Sequence, residues 1–161
     1  RIRRPIGMYP IETRWGGSEE SLKGSIKRKA ARYGKLKYPY ILAVNFIGRW
    51  GYENDDVVNA LFGSEKINIS TNSNITNLSR HQNGIWYGPK GPQFNRLSSV
   101  LVSKVWPSNF VNPQVTLFHN PWANYPYQGV LCSLPQAIPS GDRLNYVNGK
   151  TIGEIFSILE G

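Results

Sequence analysis

A chain of 161 residues with 40% hydrophobic content has the size of one ordinary domain and enough apolar side chains to bury its own core. Its single Cys132 excludes an internal disulfide, and with only His81 and His119 beside it there is no Cys/His set for a structural zinc site. The net charge of +9 is concentrated, because eleven of the 19 Lys and Arg lie in residues 1–38 against Glu12, Glu19 and Glu20, and the rest is close to balance.

The apolar run at 38–48 is broken by Pro39 and Asn45 and falls short of the ~20 residues that span a bilayer, so no membrane segment is expected. The opening Arg-Ile-Arg-Arg-Pro has no apolar run behind it and does not read as a secretory signal. With the lone cysteine, this points to a reducing, cytoplasmic setting. The missing initiator Met is consistent with a fragment of a longer protein.

Residues 18–33 read as a helix. Ser18 is the expected cap, Glu19 and Glu20 suit the positive end of the dipole, the Lys/Arg run suits the negative end, and Gly34 suits the stop. Leu22, Ile26, Ala30 and Tyr33 fall on one stripe, and Lys23, Lys27, Arg28 and Arg32 point elsewhere. A dense cationic face of this kind, with Lys29 beside it, attracts phosphate backbone; the competing reading is a solvated face that keeps the protein soluble.

After Pro39 the run Tyr40-Ile-Leu-Ala-Val-Asn-Phe46 is apolar almost throughout, which predicts a central strand covered on both faces, with Ile41, Ala43 and Val44 buried. Helix followed by strand predicts an α/β fold, a mixed sheet with flanking helices. Asn54 or Asp55 is the expected cap of a short helix with Val57, Val58, Leu61 and Phe62 on one face and Gly63 at its end. Capping accounts for the adjacent Asp55 and Asp56. The polar stretch at 68–83 reads as a mobile loop inserted in the single domain 1–161; its sequons at Asn68, Asn74 and Asn77 are by-products of Asn richness where no secretory signal is read.

Gly88-Pro-Lys-Gly-Pro92 predicts a rigid turn, followed by strands at 98–105 and 115–118, then coil rich in Pro and aromatic residues, with at most short β pieces, to Pro139. Thr151-Ile-Gly-Glu154 is a capping box opening a last helix with Ile152, Ile155, Phe156 and Leu159 as its buried stripe.

No nucleophile elbow, phosphate loop, dinucleotide fingerprint or zinc-protease motif occurs. His119, in His119-Asn-Pro-Trp-Ala123 at a strand end, is a candidate acid or base, with Asn120 to orient a partner. The preferred alternative has both side chains pinning the coil, with Trp122 as a core plug.

Glu12-Thr-Arg14 on a short strand, followed by the cationic helix with Lys29-Ala-Ala-Arg-Tyr33, resembles the third strand and following helix of PD-(D/E)xK phosphodiesterases of the restriction-endonuclease-like fold. The resemblance implies that Glu12 binds Mg2+, that Arg14 occupies the place of the water-activating lysine, and that Lys29 and Tyr33 contact nucleic acid. Arg14 departs from the pattern, since arginine does not readily give up its proton, and the preceding Asp of that family is missing. A degenerate or partial nuclease is therefore expected. The segments Lys29-Ala-Ala-Arg-Tyr-Gly34, Pro39-Tyr-Ile-Leu-Ala-Val-Asn45, Ala60-Leu-Phe-Gly63 and His119-Asn-Pro-Trp-Ala123 are similar to landmarks of uncharacterised, endonuclease-related bacterial proteins.

Three functions remain open: a nuclease-like or nucleic-acid-binding domain using the cationic helix, an interaction domain for an acidic partner, and a small-molecule enzyme built on His119 and the aromatic coil.

Overall fold

The structure, a computed structural model, describes residues 17–34, 36–46, 53–69, 76–109, 113–128, 133–141 and 143–157. Helix α1 (Ser18–Ala30) leads to strand β1 (Ile41–Asn45), helix α2 (Asn54–Phe62) and the hairpin β2 (Glu65–Ile69) with β3 (Thr76–Arg80). A small hairpin β4 (Tyr87–Gly88) and β5 (Gly91–Pro92) precedes β6 (Ser99–Lys104), β7 (Gln114–His119), β8 (Gln136–Ser140), β9 (Arg143–Val147) and α3 (Ile152–Phe156). The main sheet has the order β1-β6-β7-β8-β9. Its pairings alternate: β1 and β7 run parallel to β6 and β8 respectively, whereas β6/β7 and β8/β9 are antiparallel. The chain is thus α/β with a mixed five-stranded sheet and helices.

Register and burial define the two faces, because residues opposite one another across a ladder share a face. Leu42 and Val44 pair with Val100 and Val102, Val100 pairs with Phe118, and Phe118 with Ala137. All six are buried against Leu22, Ile26 and Ala30 of α1 and Val57, Val58 and Leu61 of α2, so one face carries both helices. Ser99, Leu117, His119 and Gln136 belong to the opposite face.

Strand β1 corrects the expectation of a central strand. It pairs only with β6 and ends the sheet among the described residues; Leu42 and Val44 are buried, but Ile41 is 37% exposed and Ala43 is exposed as well. An unbroken apolar run does not reveal whether its second edge and second face are covered. Helix α1 likewise stops at Ala30, one turn early, and its N-cap position is Gly17 rather than Ser18. Tyr33 consequently leaves the buried stripe and is 55% exposed.

Part of the loop expected at 68–83 is paired in a hairpin. Glu65 to Ile69 pair in register with Arg80 back to Thr76, and residues 70–75 lie outside the described residues. Arg80 anchors the hairpin to α2 through Asn59 Oδ1 at 3.1 Å and the Gly63 carbonyl at 2.7 Å, and it pairs with Glu65 at 2.9 Å. Backbone pairing and this one guanidinium hold a segment that has few apolar residues of its own. Strand β8 is a short β piece at the end of the stretch read as coil to Pro139, and β9 occupies chain to which the sequence assigned no element, since Pro139 and short polar runs mask the period.

Helix α2 begins at Glu53 as N-cap, not at Asn54 or Asp55 as cap, and the Glu53 amide donates to Asp56 Oδ2 at 3.1 Å. Its end depends on two glycines. Gly63 has φ +100°, and Gly84 lies so close to Phe62 and Gly63 that a Cβ there would come within 2.5 Å of their backbone atoms. That contact lets the amides of Ile85 and Trp86 donate to the free carbonyls of Ala60 and Leu61, each at 3.0 Å. Trp86 is thereby fully buried, edge-on to Phe62 at 4.9 Å.

The capping box of α3 is present: the Glu154 amide donates to Thr151 Oγ1 at 3.1 Å, and the Thr151 amide donates to Glu154 Oε2 at 2.7 Å. These bonds hold the Glu154 carboxyl below its usual value. Of its expected apolar stripe Ile152 is half-buried, whereas Ile155 is 38% and Phe156 69% exposed, and Leu159 lies outside the described residues.

Candidate nucleic-acid interface

Helix α1 sorts its cations by register. Leu22 and Ile26 insert into the core, and Lys23, between them, is only 3% exposed. Its ammonium bonds Glu19 Oε1 at 2.5 Å and Glu20 Oε1 at 3.1 Å. Burial alone would lower the pKa of Lys23, but the hydrogen bonds and charges of Glu19 and Glu20 outweigh it and hold the group above its ordinary value. Lys23 is therefore removed from the cationic face on which the sequence placed it. Its work is to tie the first two turns together, and Glu19 also accepts from Ser64 Oγ at 3.4 Å, joining α1 to the chain after α2.

Lys27, Arg28, Lys29 and Arg32 are all exposed. None of them makes an ion pair among the described residues, and Arg28 Nη2 reaches only Ser25 Oγ, at 3.3 Å. They follow one another over the last turn of α1 and the turn after it, where the helix dipole favours cations. The sequence between Glu20 and Glu53 contains no carboxylate, so no acidic side chain of that stretch offsets them.

Tyr33, beside these cations, meets the ring of Tyr40 edge-on, with centroids 5.4 Å apart and planes at 67°. Its carbonyl accepts from Arg96 Nη1 at 2.7 Å. Burial raises the pKa of the Tyr40 hydroxyl, Tyr33 adds to this and Arg96 opposes it. Ser98 closes the corner: its Oγ accepts the Tyr40 amide at 2.8 Å and donates to the Tyr125 carbonyl at 2.5 Å. Sequence reading missed Arg96, Tyr38 and Tyr125. Tyr38 lay within an apolar run, Arg96 reaches the corner through a contact 63 residues apart in sequence, and Tyr125 reaches it through Ser98, which is 27 residues from Tyr125 and 58 from Tyr40.

His119 is elsewhere. It ends β7 on the face opposite the helices, opposed to Ser99, so the structure does not bring it together with the cations of α1. Its Nδ1 lies 3.2 Å from Ser99 Oγ and its Nε2 2.8 Å from Gln136 Oε1, and Tyr127 stacks on the ring at 6.1 Å. With Gln136 Oε1 as acceptor, Nε2 donates and Nδ1 accepts a hydrogen bond from the Ser99 hydroxyl. The pair has the elements of an activated nucleophile, but Ser99 is fully buried within a strand and offers no approach to a substrate. The array bonds β6, β7 and β8 to one another. Asn120 bonds the neighbouring coil: Nδ2 donates to the Leu97 carbonyl at 2.8 Å, and Oδ1 accepts the Trp122 amide at 3.0 Å.

Glu12 and Arg14, the expected metal and water-activating positions, lie outside the described residues. Among the described residues no group of three or more His, Cys, Asp or Glu is placed to hold a metal ion, and no helix is long and apolar enough to cross a membrane.

No family model matches the chain, and neither the curated proteins nor the solved structures give a match.

Proposed function

We propose that the chain binds the phosphate backbone of nucleic acid through Lys27, Arg28, Lys29 and Arg32. The observation that carries this is the separation of roles along α1 and the turn after it: the lysine with acidic partners is buried, and the four cations left exposed have none among the described residues. A solubilising surface works as well with both signs interspersed, whereas a phosphate-binding face requires clustered cations, which act through counterion release. A nuclease-like reading, with the sheet as part of a restriction-endonuclease-like domain in a bacterial cytoplasm, belongs to the same proposal. Its support is the order of cationic helix followed by apolar strand, and its metal site would require Glu12 with further ligands.

Competition separates nucleic acid from an acidic protein partner. Labelled oligonucleotide bound to the chain is titrated with unlabelled oligonucleotide and with polyglutamate of equal charge. Displacement by the oligonucleotide at much lower concentration is expected. Equal displacement would favour the acidic partner, and absence of any oligonucleotide binding would refute the proposal.

A further inference from the structure

Beyond the cations, the corner after α1 presents aromatic surface that phosphate binding does not use. Tyr38 is 78% exposed, Tyr33 55% and Tyr125 42%, with Leu36 at 39%. Two of the four are held in place: Tyr33 rests on Tyr40 and Arg96 fixes its carbonyl, and Ser98 ties the Tyr125 main chain to that of Tyr40. Exposed Lys29, Arg32 and Lys37 interleave with these rings along the chain.

Resting on the phosphate-binding role of α1, we infer that the nucleic acid is single-stranded, its unpaired bases stacking on Tyr33 and Tyr38 while Lys27, Arg28, Lys29 and Arg32 track its phosphates. A duplex presents phosphates but keeps its base faces stacked inside, so it leaves the tyrosines unused. Unpaired bases offer a π-face to any aromatic ring, and rings alternating with cations are the pattern that serves such strands without regard to sequence. An acidic peptide matches the charge but not the rings.

The test uses fluorescence anisotropy with three labelled probes of equal length: oligothymidylate, an abasic deoxyribose-phosphate strand and a duplex. The native chain should bind oligothymidylate best. Tyr38→Ala should weaken that binding roughly tenfold and leave the other two probes unchanged, since one base stacked on an aromatic ring contributes on that order. Tyr38→Phe, which keeps the ring, should bind as the native chain does. Tyr33→Leu, which retains an apolar contact with Tyr40, should lower oligothymidylate binding in the same selective way, its fold checked by circular dichroism. Equal affinity for the three probes, or no effect of Tyr38→Ala, would overturn the single-strand inference; if Lys27→Ala/Arg28→Ala still weakened all three, phosphate binding would stand alone. If no probe bound, both would fall.

Discussion

The guanidinium of Arg96 donates to the main-chain carbonyl of Tyr33 at 2.7 Å, joining the end of α1 to the chain that enters β6. Replacing Arg96 with Ala removes a charge-assisted bond to a carbonyl just past a helix end, where few other donors are available. Arg96→Ala is expected to cost about 1 kcal/mol in a urea titration. It should also weaken oligothymidylate binding by loosening Tyr33, and an unchanged midpoint would show that water replaces the bond.

Lys23 is expected to be a stability residue. Lys23→Ala should destabilise by about 1–2 kcal/mol, less than a deeply buried pair because Glu20 remains largely exposed, and should leave oligonucleotide affinity unchanged. The pH dependence follows from the raised pKa of Lys23: its contribution is fully present below the unfolded lysine value of about 10.4 and is lost as pH rises through the folded value. Melting curves between neutral and strongly alkaline pH should converge for the native chain and Lys23→Met. Curves that stay parallel would remove the ion pair from the account.

Gly84→Ala places a Cβ against the backbone of Phe62 and Gly63. Main chain has little room to yield, so a loss of about 1–3 kcal/mol is expected, with earlier exposure of Trp86 to quenchers. Gly34→Ala, where a Cβ meets nothing within 4 Å, is the control and should be close to neutral.

His119→Ala should lower stability by about 1–2 kcal/mol, through the lost bonds to Ser99 and Gln136, and leave nucleic-acid affinity intact. An unaltered melting temperature with altered binding would reverse the assignment of His119 to structure.

Legibility in the sequence followed the range of the interactions concerned. The helices at Leu22/Ile26/Ala30, at Val57/Val58/Leu61 and at Thr151/Glu154 could be read because their spacing and capping signals are local. The exposure of Ile41 could not, because it depends on what lies beside β1 in space. The hairpin from Glu65 to Arg80 was hidden for a similar reason, since its stability comes from cross-strand pairing and from Arg80 reaching α2. At the candidate interface the cations of α1 were visible as a run, but removing Lys23 from it required the partners supplied by Glu19 and Glu20. The aromatic half of the corner needed Arg96 and Ser98, which no local pattern connects to Tyr33 or Tyr40.

Central to the account is that the exposed cations of α1 neutralise phosphates, and the salt dependence of binding measures that number directly. Affinity for a labelled single strand, followed by anisotropy over a range of salt concentrations, should fall linearly on a log-log plot with a slope of about −0.7 per phosphate contacted. Lys27→Ala/Arg28→Ala should reduce the magnitude of that slope by about 1.4 without moving the melting temperature, because both side chains are exposed and outside the Leu22/Ile26/Ala30 stripe. Superimposable slopes for the native chain and the double variant would contradict the account.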